Sequence, residues 1–251
     1  MVIKNYVKSA DDFYSHEITQ RSINPGQYDC LDLNWNPEKK DLSSPIRGLM
    51  FRNIIFRMGE STGKAVLEIG CGTGWLVNEI SKFIPAFVEG IDPSKINIKI
   101  ARSKHPELEF RCENFKSFCA RRKYDTIYSI MVLSHIWDLE AFFKKCFALL
   151  NNNGHLVVIV PDFEFFKNPR KGQDTKLVFF EDSYSVCVSR DGNLLSQIVR
   201  RDEVYQSTAM QAGFKETRQK SIKVDRELSD QVSRYQNCIG VTIFSLLDFV
   251  K

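Results

Sequence analysis

The sequence predicts an α/β fold, a mostly parallel sheet with helices on both faces, and three observations predict it. From Lys64 to Val160, short apolar runs alternate with helix-period segments, the pattern of parallel strands joined by crossover helices. A dense glycine turn, Gly70-Cys71-Gly72-Thr73-Gly74, follows the first of these runs. Asp92 ends the second run, about 20 residues further on, where such folds place a carboxylate beside a nucleotide-like ligand.

The chain's 251 residues suit one large domain or one domain with an appendage. With 43% hydrophobic and 26% charged residues it reads as an ordinary globular protein, neither disordered nor fibrous. A net charge of +4 is too small to demand nucleic acid or an anionic membrane as partner. No apolar stretch approaches the ~18 residues that cross a bilayer, and residues 1–17 carry charges too closely spaced for a secretory leader. The seven cysteines are odd in number and contain no C-x-x-C pair, which argues against a disulfide framework or a zinc site and for reduced thiols in a cytoplasm.

In chain order, the first element is a helical extension over residues 1–60, expected to act as a lid on a domain spanning 61–251. Within it Ser44 and Pro45 read as N-cap and first helical residue of a helix that runs to Met58 and stops at Gly59. Strands follow at 65–69, 87–91, 108–111, 124–129 and 155–160, each too short for a helix and several rich in β-branched residues. Between the last two, Leu139, Phe142, Phe143, Cys146 and Leu150 make one apolar helical face behind Asp138 as N-cap. The turn Asn151-Asn152-Asn153-Gly154 stops that helix, because Asn and Gly tolerate left-handed backbone. An insertion at about 162–200 holds a β-hairpin, 184–189 and 194–199 around Asp191-Gly192, expected to cover the substrate. Tyr205, Thr208, Ala209 and Ala212 then share a helical face ending at Gly213, and 214–224 and 240–250 supply two more strands.

The glycine turn carries the chemistry. Glycines let a ligand approach backbone with no Cβ in the way, and the N–H groups of the helix that follows favour carboxylate or phosphate. The position where a dinucleotide fingerprint wants its last glycine holds Trp75, which disfavours NAD. Asp92 can accept both hydroxyls of a ribose; the alternative is that it merely caps the helix starting at Pro93.

With these residues in place, the chain resembles the class I S-adenosylmethionine-dependent methyltransferases. "LEIGCGTG", Leu67 to Gly74, looks like their first motif and "GIDPS", Gly90 to Ser94, like their second; "TIYSIMVLSHIWD" after Tyr124-Asp125 resembles the fourth, and "LLNNNGHLVV" the turn and strand beyond it. The resemblance implies a Rossmann-like seven-stranded sheet with one added antiparallel strand, supplied by 240–250. It implies S-adenosyl-L-methionine as cofactor, S-adenosyl-L-homocysteine as product, and no metal. It assigns Glu68, Gly70, Cys71, Gly72, Thr73 and Gly74 to the methionine end, Asp92 and Pro93 to the ribose, Glu113, Asn114 and Phe115 to the adenine, and Ser129 and Ile130 to the pocket wall. Cys112-Glu113 stands where many members have Gly-Asp.

Methyl transfer needs alignment more than a reactive side chain, so the catalytic assignment is narrow: His135, just past the fourth strand, as a base for the acceptor. Tyr14, Tyr28, Trp137 and Tyr184 are candidates for the substrate side. The expected acceptor is an O or N atom of a small metabolite. Nucleic acid is disfavoured because no Asn/Asp-Pro-Pro-aromatic motif follows the fourth strand, where Ser129-Ile130-Met131-Val132 stands. An RNA or protein methyltransferase and a non-catalytic cofactor-binding protein are the competing readings.

Overall fold

The computed structural model describes residues 44–167, 174–190 and 193–251. Five strands, β1 (Ala65–Ile69), β2 (Phe87–Asp92), β3 (Glu109–Cys112), β4 (Tyr124–Ile130) and β5 (Leu150–Pro161), run parallel. After an insertion carrying β6 (Asp174–Phe179), β7 (Ser183–Arg190) and β8 (Asn193–Arg200), the chain returns with β9 (Glu216–Lys223) and β10 (Thr242–Val250). The main sheet has seven strands in the order β3-β2-β1-β4-β5-β10-β9, and β10 is antiparallel to both its neighbours. This is the Rossmann-like sheet expected, with its added antiparallel strand at 242–250.

The strands are apolar on both sides because both sheet faces are covered. On one face Val66, Tyr128 and Val157 pack with Leu49, Ile54 and Met58 of helix α1 (Pro45–Met58) and Leu76 and Ile80 of α2 (Trp75–Ser81). On the other, Leu67, Ile127 and Val158 pack with Phe142, Phe143 and Cys146 of α4 (Leu139–Leu149), and with Tyr205 and Ala209 of α5 (Asp202–Gln211). Helix α3 (Lys95–Lys104) closes a smaller cluster of Ile98, Ala101 and Phe110. Among the described residues no helix is long and apolar enough to cross a membrane.

Helix α1 starts and stops as its sequence predicts, with Ser44 extended, Pro45 first and Gly59 just past its last residue. Gly59 is right-handed at φ −58° and leads into a 3₁₀ turn, and the left-handed residue is Gly63 at φ +69°. The far end of α1 is fastened to the sheet by a buried ion pair, Arg57 with Asp248 of β10, whose second oxygen lies 2.9 Å from His155 Nδ1 on β5. Removing one member of such a pair strands the other charge, so the pair fixes where α1 sits even if its net energy is small.

At α4, Asp138 Oδ1 accepts from the Ala141 N–H at 2.9 Å, the N-cap read from sequence. Asp138→Ala is expected to cost about 1 kcal/mol, seen as a fall of roughly 2–4 °C in thermal unfolding. The turn at 151–154 differs from expectation: β5 already begins at Leu150, and Asn153 takes the left-handed conformation (φ +59°) inside the strand's first residues. The insertion also differs. It is a three-stranded antiparallel sheet, β6-β7-β8, in place of a hairpin, because Asp174–Phe179 adds a strand whose polar start hid it. The β7–β8 pair itself closes at Arg190↔Asn193, as the Asp-Gly signal implies. A short helix, α6 (Arg226–Gln231), capped by Asp225 accepting from the Leu228 N–H at 2.9 Å, was not foreseen.

Candidate functional site

Strand order reverses between β1 and β4, and a fold of this kind binds its ligand at the carboxyl end of the strands at that point. The glycine turn leaves β1 there. Gly70, Gly72 and Gly74 are all left-handed, at φ +74°, +53° and +81°, which explains why each is glycine. Their surroundings differ. A Cβ on Gly70 would overlap the Val132 side chain, and one on Gly74 would sit 2.6 Å from the Phe110 ring, whereas a Cβ on Gly72 meets nothing within 4 Å among the described residues. Gly70 and Gly74 therefore serve packing, and Gly72 faces open space. The turn is tied to β2 by the Gly70 and Cys71 N–H groups, which donate to Ile91 O at 2.8 and 3.0 Å.

Asp92 closes this cradle. Its Oδ2 accepts from the Gly72 N–H at 3.0 Å and its Oδ1 from the Ser94 N–H at 2.9 Å. The helix-cap alternative falls away, because the cap of α3 is Ser94, whose Oγ accepts from the Asn97 N–H at 3.1 Å. Asp92 is instead fixed against the glycine turn, one oxygen on the Gly72 N–H and the other on the Ser94 N–H.

Glu68 lies beneath the turn, 2% exposed, with a hydrogen bond from the Val77 N–H in the first turn of α2. Burial pushes its carboxyl up to about 8; Arg47 opposes this and Asp92 adds to it. Among the described residues its Oε2 has no hydrogen-bond partner, and the buried Thr73 Oγ1 and Ser129 Oγ share that condition. Buried polar atoms are normally bonded, so three orphans on the residues that line the turn and the end of β4 fit a polar ligand. Arg47, from α1, also stands over the Trp75 ring at 5.3 Å. Nothing local in the sequence marks it, since it is one arginine on a helix that ends before β1.

The raised carboxyl has a consequence for the free protein. Between its unfolded value near 4.5 and about 8, Glu68 holds a proton only when folded, so its contribution to stability is complete below 4.5, declines through that window and levels off above it. Glu68→Gln is expected to remove that slope, by up to about 1.4 kcal/mol per pH unit, in urea unfolding compared across pH 5 to 8.

The remaining expected residues divide into those at the site and those elsewhere. The Cys71 side chain is buried between β1 and β2, where a Cβ on Gly90 would come within 2.7 Å of it, and burial pushes its thiol up, so this residue offers the site its backbone alone. Pro93 O lies 3.7 Å from Cys112 Sγ. The Glu113 N–H donates to Asp92 O at 3.1 Å, but its carboxylate is held by Arg111 Nε at 2.7 Å. Asn114 is exposed with its Oδ1 turned back onto the Lys116 N–H, and Phe115 packs between Phe118 and Phe142. Ile130 ends β4 and is followed by Met131, left-handed at φ +61°, a costly conformation for a non-glycine residue that re-aims the chain at the pocket edge.

His135 and Trp137 follow, half-buried, in the segment from the 3₁₀ turn Leu133–His135 to α4. Tyr184 is placed elsewhere: it is fully buried, its hydroxyl donates to Phe163 O at 2.7 Å, and its ring packs on Phe163 and Phe179. Tyr205 is likewise core. Tyr14 and Tyr28 lie outside the described residues, as does most of the 1–60 extension. Among the described residues no group of three or more His, Cys, Asp or Glu could hold a metal.

Comparison with known proteins agrees with this geometry. The family model described as "Methyltransferase domain" matches residues 45–202. A protein of Bradyrhizobium diazoefficiens named ubiquinone biosynthesis O-methyltransferase is 36% identical over 100 residues, 38% of this chain and 39% of that one. A Rhodopseudomonas palustris protein of the same name is 31% identical over 140 residues, 49% and 55% of the two chains. The chain thus spans about half the length of the curated relatives it matches, or less. An S-adenosylmethionine dependent methyltransferase from Mesorhizobium loti superposes with a TM-score of 0.59 at 16% identity, covering 76% of this chain and 93% of that one, a likeness of fold.

Proposed function

Since the chain belongs to the methyltransferase-domain family, that of the class I S-adenosylmethionine-dependent methyltransferases, we propose that it transfers a methyl group from S-adenosyl-L-methionine to an oxygen atom of a small molecule. The single observation that carries this reading is the cradle at Gly72, open to a ligand and closed at its back by the Asp92 carboxylate. The names of the relatives supply the oxygen and the small-molecule class. Five described cysteines are free thiols, which supports a reducing, cytoplasmic setting.

When bound, the cofactor supplies a methyl group already activated by a sulfonium. The chain's task is then to bind and align. Asp92, at the carboxyl end of β2, would take the two ribose hydroxyls. Glu68 and Arg47 face the amino-acid end, an acid and a base matched to an ammonium and a carboxylate. Gly72 lets the ligand reach the backbone. We assign Ser129, Ile130 and the left-handed Met131 to the pocket edge, and His135, in the 3₁₀ turn that follows, to taking the proton of an acceptor hydroxyl. Alignment of this kind is worth about 7–11 kcal/mol of barrier with no covalent help from the protein. The three-stranded insertion is the described element to which we assign the covering of the acceptor side and the exclusion of water.

Methyl-labelled cofactor incubated with the protein and separate metabolite, RNA and protein pools tests the proposal. Label is expected in the metabolite pool, in a product stable to base that cleaves methyl esters but not methyl ethers. Label in RNA or protein would replace the small-molecule reading, and binding without transfer to any pool would mark a non-catalytic protein.

A further inference from the structure

We infer that Arg200 is a positioning residue for the acceptor side of the site: it fixes the His135 segment to the insertion while Val132 fixes the same segment to the glycine turn. The inference rests on the proposed methyl transfer for its functional meaning, though not for its geometry.

Arg200 ends β8, the last strand of the insertion, and is 5% exposed. Its Nη1 donates to Leu133 O at 3.1 Å, and its Nη2 donates to Ile136 O at 2.9 Å and to Trp137 O at 3.2 Å. One guanidinium thus gathers three carbonyls from the five-residue stretch that holds His135. Its carbon also stands 5.9 Å from the Trp137 ring, and it lies beside the Tyr205 hydroxyl of α5, whose burial pushes that phenol up while Arg200 opposes the shift. A buried arginine satisfied by main-chain carbonyls is held by geometry as much as by charge, because its donors form a rigid planar fork.

The same stretch is held from its other side. Val132 packs so closely on Gly70 that a single added carbon there would overlap it. Met131, just before, is left-handed, and its N–H donates to Ile159 O at 2.8 Å. The segment is therefore wedged between the cofactor turn and the insertion. Without the guanidinium, Ile136 O loses the donor Arg200 gives it, Leu133 O and Trp137 O keep only the Ile136 and Leu139 N–H groups, and residues 133–137 lose their tie to the insertion. The glycine turn keeps its own bonds to Ile91 and Asp92. The effect should thus fall on the acceptor side and spare the cofactor.

The test compares the full chain with Arg200→Gln and Arg200→Lys. Amide hydrogen exchange across 132–137 is expected to quicken at least tenfold in Arg200→Gln, with exchange in β1 and β2 unchanged. Affinity for S-adenosylhomocysteine, by calorimetry, is expected to stay within threefold. With the metabolite fraction that takes up label, KM for that fraction should rise tenfold or more with KM for the cofactor unchanged, and Lys should restore little, since one ammonium cannot span the three carbonyls. Unchanged exchange at 132–137, or exchange quickened evenly through the chain, would overturn the inference, as would an equal loss of cofactor affinity. If no pool takes label, the methyl-transfer reading fails, and the exchange data still decide the role of Arg200.

Discussion

Gly72→Ala is expected to abolish cofactor binding in a protein that remains folded, whereas Gly70→Ala is expected to unfold more readily. Both glycines are left-handed, so each alanine incurs a similar backbone penalty of about 1–2 kcal/mol. The difference lies in what each new Cβ meets. At Gly72 it enters open space, and the free protein loses only the backbone penalty. If that space belongs to the ligand, the methyl group stands where the ligand must approach the loop, and affinity should fall by at least 10²-fold. At Gly70 the Cβ overlaps Val132, whose segment is wedged and cannot retreat, so overpacking of about 1–3 kcal/mol adds to the backbone penalty. A loss of roughly 3 kcal/mol lowers the unfolding temperature by about 6–12 °C. Thermal unfolding and calorimetry with S-adenosylhomocysteine on both variants check the pair. Tight binding by Gly72→Ala would show that the ligand does not occupy the cradle.

What was legible in the sequence, and what was not, follows from the range over which each residue acts. The strands from Ala65 to Pro161 are short apolar runs between turn residues, a local signal, and they were read to within a few residues except at Leu150, where the strand begins directly at the helix end. The glycine turn was legible because three left-handed positions in five residues leave glycine little competition. The role of an aromatic ring was not. Tyr184 and Phe115 look in sequence like any ring near a pocket, and only the fold turns the first onto Phe163 and the second onto Phe142. The arginines were less legible still. Arg47 and Arg200 reach the site from α1 and from the insertion, through contacts far apart in the chain, and no periodicity records which way a long side chain will turn. The surroundings of Glu113 were as hidden, since only the fold shows Arg111 holding one of its carboxylate oxygens.

Replacing Asp92 should weaken cofactor binding about as severely as blocking the cradle, for a separate reason. Each carboxylate oxygen already takes one backbone N–H, from Gly72 and from Ser94, and hydrogen bonds to a charged group contribute about 1.5–3 kcal/mol apiece. Asp92→Ala removes the acceptors for two ribose hydroxyls and frees the Gly72 N–H from the partner that sets the loop. The expected loss is about 3–4 kcal/mol, or a factor of 10²–10³ in the affinity for S-adenosylhomocysteine. Asp92→Asn should do little better despite its shape, because its amide NH₂ must face either the Gly72 N–H or the Ser94 N–H, donor against donor. The near equality of Ala and Asn separates this role from mere filling of space, for which Asn would suffice. Affinity within threefold of the parent for Asp92→Asn, in a protein that unfolds at the parent's temperature, would place the ribose elsewhere and leave Asp92 as a fastening between the turn and β2.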